Sequence, residues 1–334
     1  MAAIVEFLET LGVDPADVPD NPGDAAALAS DTVLCRGEAF SLRTLAEAAA
    51  TDVDEAGATL RHLGIRIDDP DTVMFTERDV EMLRFLQSSL SLFTPDEGNE
   101  LLHVVATTLS SVAEASVSAH VQGRESRVAS FVDNARLNVE ISERGLQLGH
   151  QLATGFRHHL RQAAQRQRRR QSETHRELQE LTIGFVDLVG FTSLSQTLDP
   201  DRIVSLVSTF ETRAHELAHE LHVRVVKLIG DEVMFVAEQP LEAARFALGM
   251  VDAFSTDDVV PRGGLAAGSL VTVHGDYFGP VVNLAARLVD TAVPGEILVD
   301  DTVAADVPTE PAGRRMLKGL DQPVTVHSLV ATAD

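Results

Sequence analysis

Two aspartates have the residue type and the placement that a divalent cation requires. Asp187 ends an apolar stretch, LTIGFVDLVGF, that predicts a strand, and Asp231 lies at the turn of a predicted hairpin, VVKLIGDEVMF. Carboxylates on rigid strand ends, with few other protein ligands, suit Mg²⁺ or Mn²⁺ that is shared with a phosphate. An aspartate that follows glycine is also a common turn residue, so the metal interpretation depends on the residues around it.

Lys227 lies inside the apolar first strand of that hairpin. The chain contains only one other lysine, Lys318, although Lys and Arg together number 27. Because arginine supplies nearly all of the positive charge, a lysine in this strand indicates that a compact ammonium group is needed there.

A third polar group lies in the sequence GDYFGPVVNLAARL, residues 275–288. Asn283 and Arg287 are four residues apart on a predicted helix, so they share one face. The guanidinium suits phosphate oxygens, and Asp276 precedes the helix on a glycine-flanked loop. Taken singly, Asn283 is more readily interpreted as a helix cap and Arg287 as half of a surface ion pair.

Phe191 and Thr192 lie where the chain after Asp187 turns from a strand into a helical stretch. Backbone amides at the start of a helix point towards an anion. We therefore expect the amides of residues 190–192, including Phe191 and Thr192, to face an anion beside the proposed cation site.

The C-terminal half predicts its elements in the order strand, helix, strand, strand, helix, strand. Residues 200–222 form an amphipathic helix by their spacing, the hairpin 223–238 follows, and a second helix spans residues 240–254. This order is the ferredoxin-like βαββαβ arrangement, so the predicted fold class is α+β. The fold alone does not determine the chemistry.

The N-terminal half differs in its pattern of apolar and polar residues. The sequence therefore predicts three segments along the whole chain. Residues 1–160 predict helices and are interpreted as an all-α regulatory domain. Residues 161–180 are polar and basic and predict a helical tether, and residues 181–334 form the domain that carries the polar groups above. An apolar stripe at spacing four precedes the tether, formed by Leu148, Leu152, Phe156 and Leu160.

Residues 181–334 resemble the catalytic domain of the class III nucleotidyl cyclases. Three motifs carry the resemblance, in the family's order: FVDLVGFTSLS, KLIGDEVMF and GDYFGPVVNLAARL. The resemblance implies one pair of residues for two Mg²⁺ or Mn²⁺ ions, one for adenine and one for the transition state. These pairs are Asp187 with Asp231, Lys227 with Asp276, and Asn283 with Arg287.

The activity implied by this resemblance is conversion of ATP to 3′,5′-cyclic AMP and pyrophosphate. The family also implies a head-to-tail homodimer. In it, the metal pair Asp187 and Asp231 of one chain faces the adenine pair and the transition-state pair of the partner chain. Lys318 is expected near the triphosphate, but Leu320 stands where the family often has a second lysine, which leaves the role of Lys318 open.

Composition limits the alternatives. A net charge of −24 argues against general nucleic-acid binding, which depends on neutralising phosphates. A single cysteine excludes an internal disulfide framework, and the acidic start is not a signal peptide. We find no run approaching the roughly 18 apolar residues of a membrane helix and expect a cytoplasmic protein. The arginine run 166–170 is interpreted as a solvated face, with an anionic membrane surface as the alternative.

Residues 1–160 more loosely resemble the helical regulatory domains of actinobacterial cyclases, some of which respond to pH. His158 and His159 lie where this half meets the tether, and histidine changes its charge near physiological pH. We hypothesise that they form a pH switch; the alternative is two surface histidines without a role.

Three rival functions remain. A diguanylate cyclase shares the core fold, but its Gly-Gly turn before the acids is absent from IGDEVMF. A catalytically inactive nucleotide-binding sensor would have no need of both metal acids and Arg287. A transcription regulator using residues 40–66 is opposed by the acidic residues 47, 52, 54 and 55 in that segment.

Overall fold

The computed structural model describes residues 1–121, 130–172, 179–254, 259–273 and 275–330, with only the backbone described for a few of them, including Thr192. The chain divides into two compact units, Met1–Ser172 and Glu173–Asp334. Each unit has its own hydrophobic cores.

The first unit is mainly helical. Its helices are α1 (Ala2–Thr10), α2 (Pro22–Leu34), α3 (Leu42–Ala49), α4 (Val53–His62), α5 (Glu77–Leu90), α6 (Pro95–Val121) and α7 (Phe131–Ser172). A two-stranded antiparallel sheet, β1 (Ala39–Ser41) with β2 (Val73–Thr76), adds to the expected all-α domain. Local signals set the helix starts: Asp52 accepts the amides of Asp54 and Glu55 and so caps α4.

Two small cores hold this unit together. One lies between α3, α4, α5 and β2, and the other between α1, α2 and the first turns of α7. From Leu148 to Leu160, α7 carries the predicted apolar stripe with its side chains exposed. The helix is continuous over 42 residues and contains both the stripe and the first part of the segment 161–180 that was predicted as a helical tether.

Helix α6 corrects the expectation that no segment would qualify as a membrane span. Among the described residues, Pro95–Ala119 is long and apolar enough to cross a bilayer, and little of it is buried. The reason is that valine, leucine and alanine raise the mean hydropathy of this helix, while the serine and threonine between them interrupt any continuous apolar run. A single helix of this kind is weak evidence for a span.

The second unit is built on one eight-stranded sheet. Its strands are β3 (Gln179–Leu188), β4 (Arg224–Ile229), β5 (Glu232–Ala237), β6 (Pro261–Val273), β7 (Asp276–Phe278), β8 (Ile297–Val299), β9 (Thr309–Arg315) and β10 (Val324–Leu329). Their order is β4-β5-β3-β6-β8-β10-β9, with β7 paired to β6. All described pairs are antiparallel except β6 with β8.

Helices cover both faces of this sheet. They are α8 (Phe191–Leu194), α9 (Pro200–Glu220), α10 (Pro240–Ala253), α11 (Pro280–Thr291) and α12 (Asp301–Ala304). Helices α9 and α10 pack on one face and α11 on the other. The elements β3, α9, β4, β5, α10 and β6, with the sheet order β4-β5-β3-β6, confirm the predicted ferredoxin-like α+β fold.

Alternation along the strands decides which residues face α11. In β3, Ile183 and Phe185 pack in the core beneath α11, so Asp187 continues the same face. In β5, Met234 and Val236 also pack in the core beneath α11, which places Glu232 on that face as well. The face beneath α11 is therefore apolar at its centre and acidic at the hairpin end.

Candidate active site

The predicted metal carboxylates meet at the end of the central strands. Asp187 lies directly opposite Glu232 in the β3–β5 ladder, and the amide of Leu188 donates to the carbonyl of Asp231 at 3.2 Å. Gly230 adopts a φ of 65°, a left-handed conformation that favours glycine and makes the tight hairpin turn. The structure thus brings Asp187 and Asp231 together, as the sequence predicted.

Burial and mutual repulsion act on these acids. Burial, followed by the charge of Asp231, raises the pKa of Asp187 above its ordinary value. Burial, followed by the charges of Asp187, Asp290 and Asp231, raises the pKa of Glu232 to about 7. Without a cation, several carboxylates therefore repel one another at this end of the sheet.

Arg262 forms an ion pair with Asp187. It lies opposite Asp187 in the β3–β6 ladder and donates from Nε at 3.3 Å and from Nη2 at 3.2 Å to Asp187 Oδ2. Its charge lowers the pKa of Asp187 and of Glu232 and so opposes the upward shifts. Nη1 of the same guanidinium donates to the carbonyls of Asp290 and Ala292 at the end of α11.

Helix α11 carries the predicted transition-state pair. Asn283 is exposed, and Arg287, one turn further on, is partly buried and donates from Nη1 to Asp290 Oδ2 at 3.0 Å. The helix can lie close to β6 because residue 264 is glycine. A Cβ atom there would stand 2.5 Å from the carbonyl oxygen of Ala285 and 2.6 Å from the amide of Val289.

Lys227 and Asp276 form an ion pair. Lys227 Nζ lies 2.5 Å from Asp276 Oδ2, and the amide of Tyr277 donates to the other carboxylate oxygen at 2.8 Å. The side chain of Lys227 is 42% exposed and that of Asp276 is 30% exposed, so both polar heads are open to a ligand. Lys227 lies opposite Met234, two residues from Glu232 on the same strand face.

The remaining predicted contacts lie in separate places. Phe191 begins α8 directly after Gly190, whose φ of 81° turns the chain out of the strand, and it packs against the core beside α9. Thr192 is the second residue of α8, and its side chain lies outside the described part of the chain. Lys318 is exposed in the turn between β9 and β10.

His158 and His159 belong to the other compact unit. Both are exposed on α7, the helix that ends at Ser172. The arginine run lies further along α7, where the side chain of Arg168 is exposed. No described contact joins His158 or His159 to another titratable side chain among residues 130–168.

The acidic end of the sheet fits a hard divalent cation by its chemistry. Asp187 and Asp231 supply carboxylate oxygens, the ligands that Mg²⁺ prefers when water and substrate phosphates complete its shell. Within the described residues, no cluster of three or more His, Cys, Asp or Glu side chains forms a complete metal site. The residues therefore fit a cation that is shared with a bound phosphate better than one caged by protein alone.

The sequence interpretation missed three residues of this cluster: Glu232, Arg262 and Asp290. Glu232 had a signal, since it follows Asp231 and begins a buried strand in phase with Met234. Arg262 precedes Gly263 and Gly264 at the start of a strand, but its partner depends on how β3 and β6 align. Asp290 is one turn beyond Arg287, so a helical ion pair with Arg287 was readable from spacing.

Comparisons with known proteins identify the family of the second unit. The family described as Adenylate and Guanylate cyclase catalytic domain matches residues 173–327. An uncharacterized protein of Mycobacterium tuberculosis is 31% identical over 340 residues, covering 98% of this chain and 90% of that protein.

Relatives with functional names extend over both units. An adenylate cyclase of Streptomyces coelicolor is 29% identical over 304 residues, covering 88% of this chain and 80% of that protein. A pH-sensitive adenylate cyclase of Mycobacterium tuberculosis is 28% identical over 338 residues, covering 96% of this chain and 85% of that protein. Among solved structures, the adenylyl cyclase CyaB from P. aeruginosa matches with a TM-score of 0.44 and 22% identity, over 47% of this chain and 96% of that chain.

Proposed function

Because the chain belongs to the class III nucleotidyl cyclase family, we propose that it is an adenylyl cyclase that converts ATP to 3′,5′-cyclic AMP and pyrophosphate. The observation that carries this proposal is the Lys227–Asp276 pair, held at 2.5 Å on partly exposed side chains. The pair lies on the sheet face that also carries Asp187 and that α11 covers.

The pair supports ATP over GTP by hydrogen-bond complementarity. Adenine offers an amino donor at N6 and an acceptor at N1, which match the carboxylate of Asp276 and the ammonium of Lys227. Guanine presents the reverse pattern, so it would leave both polar groups without partners. Sites of this kind discriminate strongly because unpaired buried polar groups are costly. ATP binding would exchange the ion pair for these two contacts.

Asp187 and Asp231 would hold the two Mg²⁺ or Mn²⁺ ions. When bound, such ions lower the pKa of a coordinated hydroxyl and offset phosphate charge. The carboxylates of Asp187 and Asp231 already lie together at the strand ends, and burial, followed by the charge of Asp231, raises the pKa of Asp187. A cation in this place would relieve the repulsion that the acids exert on one another.

Asn283 and Arg287 would act on the reacting groups. In the reaction the ribose 3′-oxygen bonds to the α-phosphorus, the bond to pyrophosphate breaks, and the hydroxyl proton passes to water. The amide of Asn283 would orient the ribose, and the guanidinium of Arg287 would offset charge on the α-phosphoryl group. Arg287 would have to release Asp290, its present partner at 3.0 Å. The first turn of α8, with Phe191 and Thr192, and Lys318 would approach the phosphates.

The site is proposed to form between two copies of the chain. Asp187 and Asp231 of one copy would face Lys227, Asp276, Asn283 and Arg287 of the other, which gives two equivalent sites per homodimer. The exposed position of Asn283 on α11 agrees with a partner across that surface. The helical unit would regulate this assembly, with His158 and His159 as the pH-responsive groups. We place the enzyme in the cytoplasm, where ATP is available.

Base selection is tested by measuring kcat/KM for ATP and for GTP. We expect the double substitution Lys227→Glu with Asp276→Ser to lower kcat/KM for ATP by about 100-fold or more and to shift the ATP/GTP ratio towards GTP. Arg224→Gln is the matched control, because Arg224 lies on the same strand and donates to the hydroxyl of Tyr277 at 3.4 Å. An ATP/GTP ratio that the double substitution leaves unchanged would contradict the proposed base contacts.

A further inference from the structure

Arg262 connects two parts of one chain that would serve the two different sites of the proposed homodimer: the metal carboxylate Asp187 and the C-terminal end of α11. Its Nε and Nη2 donate to Asp187 Oδ2 at 3.3 and 3.2 Å, and its Nη1 donates to the carbonyls of Asp290 and Ala292 at 3.3 and 3.2 Å. We propose that Arg262 is a positioning residue that fixes the metal carboxylate Asp187 relative to the helix bearing Asn283 and Arg287. This inference rests on the proposed function, since it takes Asp187 as a metal ligand.

The charges around Arg262 are mostly negative. Glu232 lies opposite Asp187 in the β3–β5 ladder and follows Asp231 in the hairpin turn. Asp290 lies at the end of α11, where its carbonyl accepts from Arg262. Arg262 supplies positive charge on the inner side of this cluster, with its side chain only 24% exposed. When no cation is bound, the guanidinium therefore offsets part of the repulsion that the cation would otherwise remove.

The geometry requires a guanidinium rather than a point charge. A planar fork of five N–H donors can reach one carboxylate oxygen on β3 and two carbonyls at the end of α11 together. The carbonyls at a helix C-terminus lack partners within the helix and carry the negative end of its dipole. A lysine at position 262 could supply the charge, but it could not hold all three acceptors in fixed directions.

The chain offers a matched control in Arg315. From β9 it donates through Nη1 to the carbonyl of Thr291 at 2.7 Å, and through Nη2 to Glu296 Oε1 at 3.4 Å. Its side chain is 29% exposed, close to the value for Arg262. Arg315 thus caps the same helix end with a second acidic partner, but that partner is not a predicted metal ligand.

The test compares Arg262→Gln with Arg315→Gln in the full-length protein. Thermal unfolding is measured without divalent cation and with saturating Mn²⁺, and Mn²⁺ binding is titrated by the loss of the free-ion electron paramagnetic resonance signal. We expect Arg262→Gln to lower Tm more without Mn²⁺ than with it. The rise in Tm on adding Mn²⁺ should therefore be larger in this variant than in the wild type. Arg315→Gln should lower Tm equally in both conditions.

Catalysis gives a second readout. We expect Arg262→Gln to lower kcat at saturating ATP and Mn²⁺ by about tenfold or more, because a misplaced ligand and helix cost more in rate than in binding. Arg262→Lys should restore the wild-type response of Tm to Mn²⁺ but not kcat. It also serves as the test variant if Arg262→Gln does not fold.

The outcomes separate the inference from the proposed function. If Arg262→Gln and Arg315→Gln change Tm and kcat alike, or if Arg262→Lys keeps full kcat, Arg262 is only a helix cap and the inference is wrong. If wild-type protein binds no Mn²⁺, or binds it equally after Asp187→Asn, the proposed metal site itself fails.

Discussion

Single residues show how burial and charge decide protonation in this chain. Asp187 and Glu232 lie side by side on adjacent strands, and both carboxyl groups have raised pKa values because they are buried near other acids. The residue types of the proposed site could be recognised in the sequence. Arg262 could not, because its contact with Asp187 arises from the register of two strands that are separated by about 70 residues of chain.

Asp300 gives a stability prediction that is independent of the site. It is buried, caps α12 by accepting the amide of Val303 at 3.0 Å, and burial raises the pKa of its carboxyl group. A raised pKa means that the folded state holds the proton more tightly than the unfolded chain. The contribution of Asp300 to stability is therefore fully present below its ordinary pKa of 3.8 and falls as the pH rises through the folded-state value.

We accordingly expect Asp300→Asn, which keeps a cap acceptor, to gain stability relative to wild type as the pH rises from about 4 to 7. Urea unfolding across that range measures the difference. Asp306→Asn, at an exposed position three residues beyond Val303, is the control and should show no such trend. A difference for Asp300→Asn that stays constant with pH would contradict the account.

At the scale of elements, the spacing of apolar residues was sufficient to predict the six core elements β3, α9, β4, β5, α10 and β6. Their periods are regular, and turns with Gly, Pro and Asp separate them. The sequence analysis did not predict β7 or the β9–β10 hairpin. Strand β9 contains Pro311 and Gly313 and alternates poorly, so its pairing with β10 is determined by tertiary contacts rather than by local preference. The β1–β2 sheet was missed because its strands, of three and four residues, are too short to show a period-two pattern.

The contact of α11 with β6 gives a prediction at this scale. Gly264→Ala would place a methyl group against the backbone of α11, where neither Ala285 nor Val289 can move without shifting the helix. We expect a loss of about 1–3 kcal/mol in unfolding free energy, and a lower kcat because α11 carries Asn283 and Arg287.

The control for this substitution is Gly149→Ala. Gly149 lies on the exposed surface of α7, and an added Cβ atom there meets nothing within 4 Å. Alanine should leave activity unchanged and stabilise the helix by up to about 1 kcal/mol. Equal effects of the two substitutions on stability, measured by thermal unfolding, would show that α11 does not depend on a close approach to β6.

At the scale of the whole molecule, the proposed dimer makes a quantitative prediction. Asp187→Ala and Arg287→Ala each damage both sites of a homodimer. In a mixed dimer, one site contains both substitutions and the other contains none. Random mixing of the two inactive proteins should therefore restore about one quarter of the wild-type activity. Mixtures that stay inactive, although gel filtration and exchange of labelled subunits show mixed dimers, would exclude a site shared between chains.

The proposed pH switch is tested on the same full-length protein. We expect His158→Ala with His159→Ala to flatten or displace the pH–rate curve between about pH 5.5 and 7.5, where histidine titrates. His150→Ala, an exposed histidine on the same helix, should leave the curve unchanged. A pH–rate curve that the double substitution does not alter would remove these histidines from the regulation.

The central claim is the reaction itself, and identification of its products tests it most directly. Full-length protein is incubated with ATP and Mn²⁺ or Mg²⁺, and the products are separated and then identified by mass spectrometry. The Asp187→Ala variant is treated in the same way. We predict 3′,5′-cyclic AMP and pyrophosphate in equal amounts, dependent on the divalent cation and abolished by Asp187→Ala. ATP that is bound but recovered intact, both by the full chain and by residues 173–334, would contradict the account and indicate a nucleotide-binding sensor.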